Sequence, residues 1–397
     1  MSQNLTAELK NGILVLSPHG RIDSANAAEV ASEAEALRAS HEADGLVLDA
    51  DDLSYVSSAG LRVILRLRKE DPSLKLINVN PEVYDILEMT GFTEMMPVEK
   101  GYRKLSVEGC EMIGRGSNGE VYRLDPDTII KVYLNPDSLP DIQRERELAR
   151  RAFVLGIPTA IPYDVVKVGD GYGSVFELLN ARSFTKILVE EPERMDEIIV
   201  MYVDLLKKIH STEVGPDDMP DMKKVALKWA RDVGPSLKKE KWEKLLALIE
   251  AVPENRHMIH GDYHTKNVML QDGEALLIDM DTLSYGDPVF EFASIYNAYV
   301  GFYQGRPYAG GRSFIGLEIG QNAIVWKKTL RLYFGTDDEA RLKRIEEKAE
   351  LIGLTRILRR TLRRCDMSDP VEQNAVAFYV GRIEKLLDSV DSLLLDE

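Results

Sequence analysis

Eight residues, His260-Gly-Asp-Tyr-His-Thr-Lys-Asn267, set an aspartate and an asparagine five positions apart. The apolar run VML follows and then, after a short turn, LLIDMD, in which Asp279 ends an apolar strand twelve residues beyond Asn267. Phosphoryl transfer needs one carboxylate to orient or deprotonate an acceptor hydroxyl, and hard oxygen ligands to hold Mg²⁺ on the phosphates. Asp262 fits the first role, and Asn267 and Asp279 fit the second. Upstream, Gly114, Gly116 and Gly119 spell G-x-G-x-x-G, with Ser117 and Asn118 inside it and Val121 after it. Dinucleotide-binding folds use the same spelling to open a helix. Here EVYRL reads as a second strand, so the glycines make a strand–turn–strand flap whose N–H groups can approach phosphate oxygens without Cβ obstruction. An ordinary Gly-rich hairpin has the same spelling.

Lys131 lies twelve residues after Gly119 in the strand-like run IIKVY. A lysine between apolar β residues ordinarily faces solvent; as a functional group it is a point charge directed at nucleotide phosphates. Such a lysine is held by a carboxylate on the next helix, where Glu145 and Glu147 both lie. The sixteen-residue separation favours Glu147, and Glu145 stays open. His260 and His264 have an i, i+4 spacing that suggests zinc, but a third ligand is not evident and the segment does not read as a helix. His260 is expected to support the Asp262 loop by hydrogen bonding, and His210 to end a helix. The stretch RILRRTLRR (Arg356–Arg364) could bind an acidic partner or substrate, although a solvated basic helix face is the commoner outcome.

The elements that must position these residues follow from patterning. In the first hundred residues, GILVLSP, GLVLDA, LKLINV and FTEMMPV (Phe92–Val98) read as strands. Ser24–Ser40, Ser58–Glu70 and Pro81–Thr90 read as helices, the last with Pro81 at its start and Gly91 as a stop. That alternation predicts a mixed sheet with packed helices. After a polar boundary at Glu99–Lys104 come LSVEGCEMIG, GEVYRL and TIIKVY, a helix from Asp141 to Leu155, then DVVKVG and SVFELL. Beyond Asn180 the chain is mostly helical, interrupted by a loop-and-strand block at His257–Pro288. The expected domains are 1–100, 104–180 and 181–397.

A chain of 397 residues, 44% hydrophobic and 29% charged, has the balance of a globular protein and the length of two or three domains. Its net charge of −16 argues against a general nucleic-acid or anionic-membrane binder. Cys110 and Cys365 are too few and too far apart to signal a disulfide framework. MSQNLTAELK lacks a signal-peptide core and no uncharged membrane-length stretch occurs, so a cytoplasmic location is expected.

From Leu105 to about Ala293 the ordered set of motifs resembles the kinase-like superfamily, in its aminoglycoside phosphotransferase and choline kinase branch. The resemblance implies an α+β bilobal protein-kinase-like domain using ATP and Mg²⁺. It implies that Gly114–Gly119 cover the phosphates, that Lys131 contacts the α- and β-phosphates, and that Glu147 pairs with Lys131. Glu177, Leu178 and Leu179 would form the hinge that meets adenine. Asp262 would be the catalytic base, Asn267 and Asp279 the metal ligands, and Asp281 a further metal contact. HGD stands where protein kinases have HRD, Asp279-Met280-Asp281 replaces Asp-Phe-Gly, and few residues separate it from Gly286-Asp287-Pro288. These departures favour a small-molecule acceptor. Glu291 stands where such enzymes often carry a structural aspartate.

The first hundred residues resemble STAS domains, the anti-sigma-factor antagonist family, through LVLDADDLSYVSSAGLRVIL and INVNPEVYDILEMTGF. This implies an α/β domain that docks an anti-sigma-type protein and is switched by serine phosphorylation. The serine position falls on Ala59; Ser57 and Ser58 are its neighbours. A phosphate at Ser58 would sit at a helix N-terminus, whereas either serine could simply cap that helix. The expected function is an ATP- and Mg²⁺-dependent phosphotransferase acting on a small-molecule hydroxyl, with the STAS domain regulating or docking. The alternative is a signalling protein whose kinase-like part is a protein kinase or nucleotide-dependent switch. No pattern in Ile295–Glu397 names the acceptor.

Overall fold

The computed structural model describes residues 4–116, 119–215, 217–305 and 313–395. The chain divides into two units: Met1–Tyr122 with Ile130–Ser138 and Asp164–Val175, and Arg123–Ile129 with Leu139–Tyr163 and Phe176–Glu397.

The first unit opens with an antiparallel hairpin of Leu5–Lys10 (β1) and Ile13–Pro18 (β2). Gly20–Ile22 (β3), helix Ala27–Ala39 (α1), Gly45–Asp49 (β4) and Leu53–Val56 (β5) follow. Then come helix Ser58–Glu70 (α2), Lys75–Val79 (β6), helices Pro81–Met89 (α3) and Phe92–Met95 (α4), and Val98–Lys100 (β7). The sheet order is β1-β2-β4-β6-β7, with β4, β6 and β7 added in parallel, so the sheet is mixed as its alternating pattern predicts. The strand expected over Phe92–Val98 is instead a helical turn followed by β7. Gly91, at φ +78°, reverses the chain after α3, and Phe92 buries its ring in the core.

The connection beyond β7 is tied at both ends. Gly101 N–H donates to Val79 O at 2.6 Å, and Lys104 Nζ lies 2.6 Å from Asp51 Oδ2. Arg103 and Leu105 exchange backbone hydrogen bonds with Lys167, each at 2.9 Å. Beyond it lie Glu111–Arg115 (β8), Gly119–Arg123 (β9), Thr128–Tyr133 (β10), helix Leu139–Val154 (α5), Pro162–Val168 (β11) and Gly171–Glu177 (β12). The sheet runs β11-β12-β10-β9-β8, so the glycine motif joins two neighbouring strands and opens no helix. A Cβ on Gly119 would stand 2.4 Å from Val132 O. Gly119→Ala should therefore destabilise by about 1–3 kcal/mol, read as a lower urea midpoint at unchanged slope. An unchanged midpoint would refute that packing argument.

The second unit includes α5 and holds Arg182–Ser183 (β13), helices Phe184–Glu190 (α6), Met195–His210 (α7), Met222–Val233 (α8) and Lys239–Ala251 (α9), and Met258–Ile259 (β14). Val268–Gln271 (β15) and Glu274–Leu277 (β16) form a hairpin with β13 on its edge, and Ser284–Tyr285 (β17) pairs with β14. Helices Pro288–Tyr299 (α10), Ile319–Phe334 (α11), Glu339–Arg364 (α12) and Pro370–Ser389 (α13) complete it. Every residue of α10 from Val289 to Tyr299 is buried, as expected of a helix that is apolar nearly all round. None of the described helices is long and apolar enough to cross a membrane.

Candidate active site

The loop between β14 and β15 carries His260 to Asn267, and its backbone is held from below by α10. Fully buried Glu291 accepts the His260 N–H, and accepts the Gly261 N–H at 3.0 Å. His210, at the end of α7, has Nδ1 within hydrogen-bond distance of Tyr333 Oη at 2.7 Å and places Nε2 3.7 Å from Glu291. Gly261 has φ +79°, and a Cβ there would meet Thr282 O at 2.8 Å. Only glycine suits both the left-handed backbone and the close approach. Thr282 Oγ1 donates to His260 O at 2.7 Å, which ties this loop to the segment that follows Asp279. Tyrosines close the floor: Tyr299 Oη accepts the Thr265 N–H at 2.9 Å, and Tyr263 Oη donates to Tyr202 O at 2.7 Å.

Above this floor the Asp262 side chain is 40% exposed, with His264 Nε2 3.6 Å from its Oδ2. Crowding by surrounding protein opposes its ionisation. The adjacent His264, followed by Arg356 and His260, outweighs that and holds the carboxyl well below the usual carboxylate range. His260 is buried and accepts the Asp262 N–H on Nδ1 at 3.3 Å, a supporting role. From α12, the Arg356 guanidinium donates to Gly261 O at 2.8 Å and to Ser294 Oγ at 3.2 Å. An ionised carboxylate on a rigid loop can accept a hydroxyl proton's hydrogen bond and orient that hydroxyl for attack.

Asn267 precedes and Asp279 follows the β15–β16 hairpin, at its open end. Val268 opposes Leu277, and Ile278 N–H donates to Asn267 O at 3.0 Å. Buried Asn267 donates Nδ2 to Asp262 O at 3.1 Å. Its Oδ1, the atom a hard cation would take, has no protein donor among the described residues. Asp279 is exposed and has φ +65°, a left-handed placement that costs a non-glycine residue on the order of 1 kcal/mol. Asp281 is also exposed. No three His, Cys, Asp or Glu side chains cluster as a metal site among the described residues. An Asn–Asp pair completed by phosphate oxygens is the kind of donor set Mg²⁺ uses.

On the glycine flap, Gly116 N–H donates to Gly119 O at 2.9 Å, and Val121 packs near Gly114. Ser117 and Asn118 lie outside the described residues. Lys131, half-buried on the central strand β10, has its Nζ 5.2 Å from the Tyr133 ring centroid. On α5, Glu147 is occupied by its own helix: Arg150 donates to it at 2.9 Å and Arg151 at 2.8 Å. These guanidinium groups hold its carboxyl near pKa 2. Glu145 instead shares the buried face with Ile142, Leu148 and Ala152 and is 5% exposed. At the end of β12, the Glu177 N–H donates to Ile161 O and the Leu178 N–H to Asp127 O. That leaves the Leu179 N–H as the one of the three with no backbone acceptor among the described residues. In the N-terminal module, Ser57 caps α2, accepting from Ala59 and Gly60 N–H at 3.2 and 3.5 Å, whereas Ser58 is exposed.

Two families match along the chain. Residues 110–314 match the model of the phosphotransferase enzyme family, and residues 4–105 that of the STAS domain. The N-terminal part is 37% identical over 98 residues to a protein named as an anti-sigma factor antagonist, BtrV, from Bordetella bronchiseptica, covering 24% of this chain and 84% of that protein. It is 24% identical over 102 residues to the anti-sigma F factor antagonist of Paenibacillus polymyxa, covering 25% of this chain and 87% of that one. Among solved structures, the ADP-bound aminoglycoside phosphotransferase APH(2'')-Ib aligns at 15% identity with a TM-score of 0.49, over 76% of this chain and 98% of that one. The amicoumacin kinase hAmiN, in complex with AMP-PNP and Ca²⁺, aligns at 15% identity with a TM-score of 0.48, over 78% and 94%.

Proposed function

The chain belongs to the phosphotransferase enzyme family and carries a STAS domain ahead of it, and from that premise we propose that it transfers the γ-phosphoryl group of ATP to a hydroxyl of a small molecule. The observation that carries this reading is the Asp262 loop, with an ionised, partly exposed carboxylate on a backbone anchored by Glu291 and an asparagine–aspartate pair on the adjoining hairpin. Asp262 orients the acceptor hydroxyl and takes its proton as the acceptor oxygen bonds to the γ-phosphorus and the bond from that phosphorus to the bridging oxygen breaks, with ADP as the leaving group. Asn267 and Asp279 would hold Mg²⁺, with Asp281 beside them; when bound, the ion neutralises charge on the phosphates. Gly114–Gly119 and Lys131 hold the triphosphate, and the Leu179 backbone faces the base.

The test is ADP release by the full-length protein with ATP against a panel of hydroxyl compounds and one protein substrate, with and without EDTA. Chelator-sensitive turnover on a small molecule is the expected outcome. Turnover on the protein substrate alone would replace this reading with a protein kinase. We assign the support of Lys131 to Glu145 rather than Glu147, since Glu147 is already satisfied on its own helix. Glu145→Gln should raise KM for ATP about tenfold, and Glu147→Gln less than about twofold. The reverse ranking in steady-state kinetics would return the role to Glu147.

The likeness of the N-terminal module to anti-sigma factor antagonists supports docking of an anti-sigma-type protein there. If that module takes a phosphate, Ser58 is the exposed hydroxyl, because Ser57 is committed to capping α2. Intact mass of the Ser58→Ala protein after incubation with ATP, compared with wild type, tests the assignment.

A further inference from the structure

The basic stretch on α12 is divided between two faces. Arg359 pairs with Asp232 on α8 at 2.5 Å, and Arg363 adds its charge to the groups holding that aspartate ionised. Arg356, Arg360 and Arg364, each one turn apart, share the other face. Arg356 is tied to the catalytic loop through Gly261 O and stacks 5.3 Å over the Trp229 ring. Arg360 is exposed and lies 5.5 Å over Phe302. Phe302 meets Phe314 at 5.4 Å, and Phe314, itself 47% exposed, meets His264 at 5.7 Å. An aromatic patch thus runs from the neighbour of Asp262 to Arg360.

Among the described residues, no carboxylate pairs with Arg356, Arg360 or Arg364. This is notable in a chain with 66 acidic and 50 basic residues, in which Arg151, Arg194 and Arg382 all have carboxylate partners. Packing around Arg360, and then the like charges of Arg364 and Arg356, push its guanidinium below its ordinary value, while Asp262 acts in the opposite direction. Clustered like charges of this kind are relieved by an anion.

We propose that the acceptor is an anionic hydroxyl compound, bearing a carboxylate or phosphate group that Arg360 and Arg364 bind while its hydroxyl lies at Asp262. The assignment rests on Asp262 as the acceptor-orienting group and adds the charge class of the substrate. Phe302 and Phe314 would lie under the part of the molecule between its two polar ends. A polycationic acceptor would meet like charge at this face and be disfavoured.

The full-length protein loaded with AMP-PNP and Mg²⁺, which blocks phosphate sites used by the nucleotide, is titrated calorimetrically at low salt. The probes are inorganic phosphate and, separately, malonate. Saturable binding of at least one probe near about 1 mM is expected, and which one binds separates a phosphate from a carboxylate ligand. The double variant Arg360→Glu/Arg364→Glu should weaken that binding by about tenfold or more, and Arg360→Gln alone by a smaller factor. Arg363→Glu is the control on the neighbouring face of the same helix and should shift it less than about twofold. No saturation at about ten times that concentration, or equal weakening by Arg363→Glu and the double variant, would overturn the proposal. AMP-PNP binding is measured first. Its absence would count against the nucleotide reading alone, because the anion titration is repeated on the nucleotide-free protein and still decides the arginine site.

Discussion

Replacing Asp262 by Asn should lower phosphoryl transfer by about 10²–10⁴-fold while AMP-PNP still binds. The amide keeps the size of the side chain and leaves the loop's backbone hydrogen bonds in place, but removes the charge that, on the proposed reading, accepts the hydroxyl proton. Because the folded carboxyl lies below its unfolded value of about 3.9, ionised Asp262 stabilises the fold above that pH. This contribution disappears only as pH falls towards the depressed folded value. Asp262 should therefore add no acid limb to the kcat/KM profile between about pH 5 and 8. His264→Gln removes the leading stabiliser of the carboxylate and should move an acid limb upward. ADP release measured across that range with wild type and both variants decides the matter. Turnover undiminished in Asp262→Asn would remove Asp262 from the chemistry.

The second large effect is expected at Glu291. Its carboxylate takes two backbone N–H groups of the loop carrying Asp262 in a fully buried position, so Glu291→Ala leaves both donors without a partner. Each unsatisfied buried group costs about 1–3 kcal/mol, so a loss of about 2–6 kcal/mol is expected. Turnover should fall as well, since the loop holding Asp262 loses its anchor. Glu291→Gln retains one acceptor oxygen and should fall between the two. Urea unfolding gives the stability change; a loss below about 1 kcal/mol would mean that the loop amides find other acceptors or water.

Much of this was legible in local patterning. The Asp262–Asn267–Asp279 spacing, the strand on each side of the glycine motif and the helix starting at Pro81 all depend on residues close in sequence. What escaped depends on contacts between distant segments. Glu291 meets Gly261 thirty residues away; the family resemblance marked its position as a structural acid, but which amides it anchors does not show in the apolar character of α10. Arg356 reaches the same glycine across ninety-five residues, so one arginine of a basic stretch in which Arg360, Arg363 and Arg364 are exposed braces the loop carrying Asp262. The burial of Glu145 was open to a periodicity argument: Ile142, Glu145, Leu148 and Ala152 repeat at helical spacing, which puts Glu145, the alternative left open for Lys131, on the inner face. Distance along the chain had favoured the other residue. The strand expected at Phe92–Val98 failed because Gly91 and buried Phe92 set the backbone there, against its β-prone composition.

The short connection at residues 101–105 also bears on how the halves of this protein can be studied separately. By pairing with Lys167 it covers part of the outer side of β11, the last strand of its sheet. A shortened chain beginning at Ser106 would present those amide and carbonyl groups unpaired, a template for strand addition by a second molecule. Self-association is thus the failure to expect when the phosphotransferase-family half is produced alone, and retaining the residues from Gly101 onward is the remedy.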